Sequence, residues 1–281
     1  MAKKEKQPEF LLSPINTKLT NYRTYRMSGS EQMLTTLGAV VAGGAAGVIF
    51  YGGRFCDENG AMTLATLLSN LIIFLVAGVA TSVVFLPLRT EQLRRKRIRE
   101  LVLQFRSFLE ALAVSLASGM NVRDSLKGAS DSLKNEYGEE ADMVLEVREM
   151  LNCLENNIPL EQALNSLGER SDQDDIKKFA TAFTVSYKYG ANLKDVVRRT
   201  NKILGDKIET EMEIETMMAS NRMQFNAMLV VPLGIVLMMR VMSTSFSAGF
   251  SSVPGTIAMT VALGIFFGAY RMGAKIMETD R

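Results

Sequence analysis

"GMNVRDSL" (Gly119–Leu126) and "GANLKDVV" (Gly190–Val197) share the pattern Gly-x-Asn-[Val/Leu]-[Arg/Lys]-Asp, with every matched position offset by 71 residues. The upstream apolar pattern repeats as well. Leu101, Phe105, Phe108, Leu109, Leu112 and Leu116 are spaced to lie on one helix face. Shifted by 71, the last five become Ile176, Phe179, Ala180, Phe183 and Tyr187, all apolar or aromatic. Between 105–126 and 176–197 there are seven identities: Phe108/Phe179, Ala111/Ala182, Val114/Val185, Ser115/Ser186, Gly119/Gly190, Asn121/Asn192 and Asp124/Asp195. We read two copies of one helix–turn–helix hairpin.

Each residue of the phrase then has a mechanical reason. Gly119 and Gly190 fall just past a helix end, where a left-handed backbone is wanted and a Cβ is penalised. Asn121 and Asn192 stand at the N-cap of the next helix, and Asp124 and Asp195 at its third position, where a carboxylate complements the helix dipole. Asn157-Ile158-Pro159-Leu160-Glu161 reads as a third joint, with Pro159 in the first helical turn. A phosphate loop would need several glycines and a Lys-Ser/Thr pair. The phrase is therefore read as a structural joint.

These joints lie in a polar segment, 89–222, which carries 21 Lys+Arg and 23 Asp+Glu and almost no strand signal. We expect an all-α domain of about six helices over 98–118, 122–134, 139–156, 159–169, 173–189 and 193–220. Basic residues crowd its start, and acids cluster at Glu136–Glu149, Glu169–Asp175 and Glu209–Glu215. Glu139, Glu140, Asp172, Asp174 and Asp175 are candidate partner contacts. The last helix meets no proline before Pro232. It is expected to run on into the apolar region beyond, where thirty residues would form a strut of about 45 Å.

That region is one of several. No charge lies between Glu31 and Arg54, Glu58 and Arg89, Arg222 and Arg240, or Arg240 and Arg271. A bilayer core takes about 20 apolar helical residues. Four spans follow, at 34–53, 62–88, 223–241 and 255–270. External loops at 54–61 and 242–254, an N-terminal tail at 1–33 and a C-terminal tail at 271–281 complete the chain. Basic residues are rich before the first span, after the second and after the fourth, which places both termini and the polar domain in the cytoplasm. Gly43, Gly44 and Gly47 in the first span, and Gly264 with Gly268 in the fourth, give small faces suited to helix packing, within the chain or between copies. Arg240 is the lone charge inside the apolar zone of the last two spans, either snorkelling to the outer interface or contacting a partner's acid.

Composition removes several chemistries. There is no histidine, which excludes a Ser-His-Asp triad and most zinc sites. The two cysteines, Cys56 and Cys153, fall on opposite sides of the expected membrane, so no disulfide framework exists. A net charge of +2 gives no polycation for nucleic acid. No cofactor motif is present.

The chain resembles the platform proteins of type II secretion and type IV pilus systems, and within them the TadB/TadC proteins of the tight-adherence (Flp) pilus. The resemblance rests on two spans, a helical domain and two further spans. It rests also on Phe179-x-x-Ala182-x-x-Val185-x-x-x-x-Gly190-x-Asn192-Leu193-x-Asp195 ahead of a charged helix, and on "NIPLEQALNSLGER" at 157–170. It covers about 98–281 well and the first two spans in topology only. "ASNRMQFNAML" and the charged strut favour the TadB-like branch. The resemblance implies a non-enzymatic protein of the inner or cytoplasmic membrane. Its implied partners are a hexameric assembly ATPase, pilin subunits and a homologous second platform protein, in a homo- or hetero-oligomer. The acid that Arg240 would contact is then a pilin's. A polytopic transporter and a membrane-tethered signalling scaffold are the competing readings.

Overall fold

The structure, a computed structural model, describes residues 8–52, 64–190, 192–242, 249 and 252–279. The chain divides into two compact units, one made of residues up to Arg26 with Thr90–Glu213, the other of Met27–Arg89 with Ile214–Arg281.

The first unit is a helical domain with an N-terminal arm. Its helices are the C-terminal part of α2 (Leu64–Ala117), then α3 (Val122–Tyr137), α4 (Asp142–Glu155), α5 (Leu160–Ser171), α6 (Asp174–Lys188) and the first part of α7 (Leu193–Met242). The apolar stripe of α2 makes the core: Leu101, Phe105, Phe108, Leu109 and Leu112 are fully buried. They meet Ile176, Phe179, Ala180 and Phe183 of α6, also fully buried. The Phe105 and Phe179 rings pack edge to face at 5.5 Å, a geometry favoured by the ring quadrupoles. Tyr187 departs from the stripe. It is half exposed and stacks on the outer side of Phe183 at 6.0 Å.

Where the sequence repeats its phrase, the backbone turns. Gly119 has φ +85° and Gly190 φ +67°, values that glycine adopts without penalty. Asn121 is the N-cap of α3: its Oδ1 accepts the Asp124 N–H at 2.8 Å, and its Nδ2 donates to the Asp124 carboxylate at 2.7 Å. At the second joint the Asn192 Nδ2 donates to Asp195 Oδ2 at 2.8 Å, while the Asp195 N–H goes to the Asn192 backbone carbonyl at 3.1 Å. Pro159 stands at the N-cap of α5, one place before the helical turn expected for it, after Asn157 in a left-handed conformation.

The arm is where the structure departs most from the sequence reading. The expected tail 1–33 contains β1 (Phe10–Leu12) and β2 (Lys18–Thr20), an antiparallel pair in the register Phe10↔Thr20, Leu11↔Leu19, Leu12↔Lys18. Ser13-Pro14-Ile15-Asn16 turns the corner: the Asn16 N–H donates to the Ser13 carbonyl at 2.9 Å, and Asn16 takes a left-handed φ of +61°. Beyond β2 the chain sinks, and Tyr22 joins the domain core at 2% exposure.

The second unit holds α1 (Gly29–Tyr51), the start of α2, the end of α7 and α8 (Val253–Thr279). These four helices are each long and apolar enough to cross a membrane, a multi-pass arrangement. The first begins at Gly29, five residues before the expected span, because the Ser28 N–H is held by the Glu31 carboxylate at 3.1 Å, the reach-back half of a capping box. Gly43, Gly44 and Gly47 press onto Thr81, Phe74 and Ala77 of α2, where an added Cβ would collide in each case. Gly264 and Gly268 of α8 have no neighbour within 4 Å of an added Cβ among the described residues. Helix α8 touches α7 through Phe225, which stacks on Tyr270 at 6.0 Å and lies against Gly273.

Helix α2 does not stop at the expected span end of 88, and α7 is continuous from Leu193 to Met242. The polar stretch that opens the domain is itself a good helix, with Glu91 paired to Arg94 (2.7 Å) and Arg95 (3.1 Å), and Lys96 to Glu100 (3.7 Å). Pro87 and Pro232 each lack one N–H and interrupt the ladder without ending the helix. Cys56, the loop expected at 54–61 and most of that expected at 242–254 lie outside the described residues.

Candidate functional site

The arm seats on a polar face that α4 builds with i, i+4 and i+7 spacing: Asp142, Glu146 and Glu149. Glu146 and Glu149 are buried, at 3% and 6% exposure, although the sequence places them in an acidic cluster that reads as a solvated face. Glu146 takes a bidentate pair from Arg170 of α5, with Nη1–Oε1 at 2.7 Å and Nη2–Oε2 at 2.5 Å. Arg170 is itself 3% exposed. Its Nε donates to Ser166 Oγ (3.2 Å) and its Nη1 also to the Thr20 carbonyl of the arm (3.0 Å), so four of its five N–H groups are satisfied. Burial alone would lower the guanidinium's pKa. The hydrogen bonds and charge of Glu146 outweigh that and raise it above its ordinary value.

Tyr22 enters this cluster from the arm. Its hydroxyl donates to Glu146 Oε1 at 2.9 Å, and the Arg97 guanidinium lies over its ring at 5.5 Å while pairing with Asp142 at 2.6 and 2.9 Å. Burial, and then the neighbouring Glu146 charge, push the phenol well above its usual pKa, so the ring remains a donor. Thr17 Oγ1 donates to Glu149 Oε1 at 2.6 Å. Helix α5 ends at Ser171 and its last carbonyls have no helical partner. The arm supplies donors: the Tyr22 N–H to the Arg170 carbonyl (3.1 Å) and Arg23 Nε to the Glu169 carbonyl (2.9 Å). Asp172, left-handed at the C-cap, pairs with Lys177 at 2.6 Å and Arg23 at 3.4 Å, and these hold its carboxyl below the usual range.

The expected partner contacts occupy separate elements. Glu139 and Glu140 occupy the exposed turn between α3 and α4. Asp174 is exposed in the first turn of α6, and these three make no ion pair among the described residues. Asp175 is half-buried and takes Lys207 at 2.6 Å. Arg240 lies within α7, its side chain outside the described residues. Tyr22, Glu146, Arg170 and Arg97 were missed. Their partners lie as much as 150 residues apart, and nothing local marks them.

A recess lined by Phe108, Leu116, Val122, Leu160 and Phe183 among others is wholly apolar and brings no reactive groups together. Among the described residues no three His, Cys, Asp or Glu side chains are arranged to hold a metal. The Cys153 thiol is fully buried, and burial raises its pKa.

Residues 108–241 match the family described as Type II secretion system (T2SS), protein F. The match spans somewhat under half of the chain, from the core stripe of α2 to the last turns of α7. It thus gives the helical domain and the helix leaving it a likeness to a membrane platform of secretion or pilus machinery, and it leaves out the arm, α1 and α8. No curated protein and no solved structure matches the chain.

Proposed function

We propose that the protein is a platform of a secretion-type machine in the inner or cytoplasmic membrane, of the Tad/Flp (type IVc pilus) kind on the TadB-like branch. In this reading both termini are cytoplasmic, and the domain couples a hexameric assembly ATPase to pilin subunits in the bilayer, beside a homologous second platform protein. The observation that carries it is the family match over 108–241, the segment that holds α3–α6 and leads into an apolar helix. The two Gly-x-Asn-x-x-Asp joints support a domain built from one hairpin used twice. The family's members are structural platforms and not enzymes, which agrees with the lack of histidine in this chain.

Of the acids proposed as partner contacts, Glu139, Glu140 and Asp174 are exposed and make no ion pair among the described residues, and Asp172 and Asp175 flank the last of them. Two results are expected. A clean deletion abolishes pili or secretion. Full-length protein in mild detergent co-purifies with the ATPase, and the triple charge reversal E139K/E140K/D174K loses it without loss of helical signal. Normal assembly in the deletion strain would refute the platform reading, whereas undiminished capture by the triple variant would refute only the proposed contacts.

A further inference from the structure

We propose that residues 8–26 form a detachable strap, and that the α4–α5 face beneath it is a peptide groove for an extended segment presenting a tyrosine followed by an arginine. The domain core does not depend on the strap. Of its fully buried apolar members only Tyr22 comes from the arm, and Ile15 packs at the edge. All the others come from α2 to α7.

What the face offers is chemistry for a passing backbone. The α5 carbonyls at Glu169 and Arg170 accept donors, and Arg170 Nη1 reaches a carbonyl of the bound segment. Between them lies a slot for one aromatic ring, closed above by the Arg97 guanidinium and ended by Glu146, which accepts the phenol O–H. Asp172 takes the cation that follows, and Glu149 a hydroxyl at the segment's other end. Main-chain bonds combined with one side-chain pocket are the general way a protein reads an extended peptide.

The groove survives being empty because it is polar. The Glu146–Arg170 pair stays bidentate without the strap, Ser166 still accepts from Arg170, and water replaces the phenol and the Thr20 carbonyl. An apolar slot of the same depth would have no such substitute. The strap is therefore a ligand held in cis, and its release opens a site of fixed shape for another segment of the same chemistry.

The test uses the full membrane-spanning chain in detergent, lacking only residues 1–26, with a fluorescein-labelled synthetic peptide of residues 8–26 as the probe. Anisotropy is expected to show binding to the deletion chain and at least tenfold weaker binding to the intact chain, whose own strap competes. Tyr22→Ala in the peptide is expected to weaken binding at least tenfold. A folded deletion chain that ignores the peptide, or binds wild-type and Tyr22→Ala peptides equally, overturns the proposal. So does a deletion chain that loses its helical domain. Hydrogen exchange on the intact chain decides independently of the deletion. The Tyr22 amide is expected to exchange at least tenfold faster than the amides of α4–α6, and exchange of all of them in one event shows an integral arm and refutes the strap.

Discussion

Asn121 and Asn192 stand at equivalent places in the sequence and do unequal work. Asn121 satisfies an orphan helical N–H with its side chain, so Asn121→Ala is expected to cost about 1 kcal/mol. Among the described residues the Asn192 side chain bonds only the Asp195 carboxylate, and Asn192→Ala should cost less. Urea or thermal melts of the full chain, followed by helical signal, rank the two. Arg170→Ala leaves Glu146 charged, buried and unpaired, and about 3–5 kcal/mol is expected to be lost. Glu146→Leu with Arg170→Met removes both charges and should recover most of it, as a double-mutant cycle would show. Two groups give the arm a pH dependence of opposite sign. The phenol of Tyr22 titrates higher folded than unfolded, so its contribution is complete below pH 10 and is lost as pH rises through the raised value. Asp172 titrates lower when folded. Its contribution holds above the ordinary carboxylate range and disappears as pH falls through the depressed value. The protection factor of the Tyr22 amide, with the intrinsic pH dependence of exchange divided out, reads both limits, and a flat profile would mean that neither group holds the arm. The two caps were legible as a repeated phrase, but the cluster of Tyr22, Glu146 and Arg170 was not. A buried glutamate and an exposed one look alike until a partner 24 or 124 residues away is placed beside them.

The helices were largely legible, because apolar periodicity, caps and left-handed glycines are local signals. Helices α3 to α6 begin and end within a few residues of 122–134, 139–156, 159–169 and 173–189, whereas α2 begins far ahead of residue 98. The sequence places boundaries where apolar gives way to charged. Helix propensity and the Glu91–Arg94–Arg95 pairs ignore that change. Small-residue faces showed less in the sequence than in the fold. Gly43 and Gly47 are used inside the chain against α2, while Gly264 and Gly268 have nothing within reach among the described residues. Gly43→Leu is accordingly expected to overpack the α1–α2 contact by about 1–3 kcal/mol and lower thermal stability in detergent. Gly264→Leu is expected to leave that stability unchanged. Equal destabilisation by both would show that α8 packs as closely as α1.

For the whole molecule, the arm ties topology to folding. Residues up to Arg26 and Thr90–Glu213 belong to one compact unit, and α1 and the start of α2 between them are both apolar enough to cross a membrane. A seated arm requires arm and domain to share one side of a membrane, so an even number of crossings between them is expected. Single cysteines at Thr17 and Lys134, in a Cys56→Ser/Cys153→Ser background, should react with an impermeant maleimide from the same side of sealed vesicles. Labelling from opposite sides would break the pairing of arm and domain. This arrangement has a consequence for biogenesis. The ribosome releases Tyr22 long before Glu146 and Arg170 exist, and both membrane segments must thread in the interval. A nascent chain that inserts only one of them strands its tyrosine across the bilayer from its socket. Seating of Tyr22 beside Glu146 and Arg170 is therefore conditional on insertion of both segments.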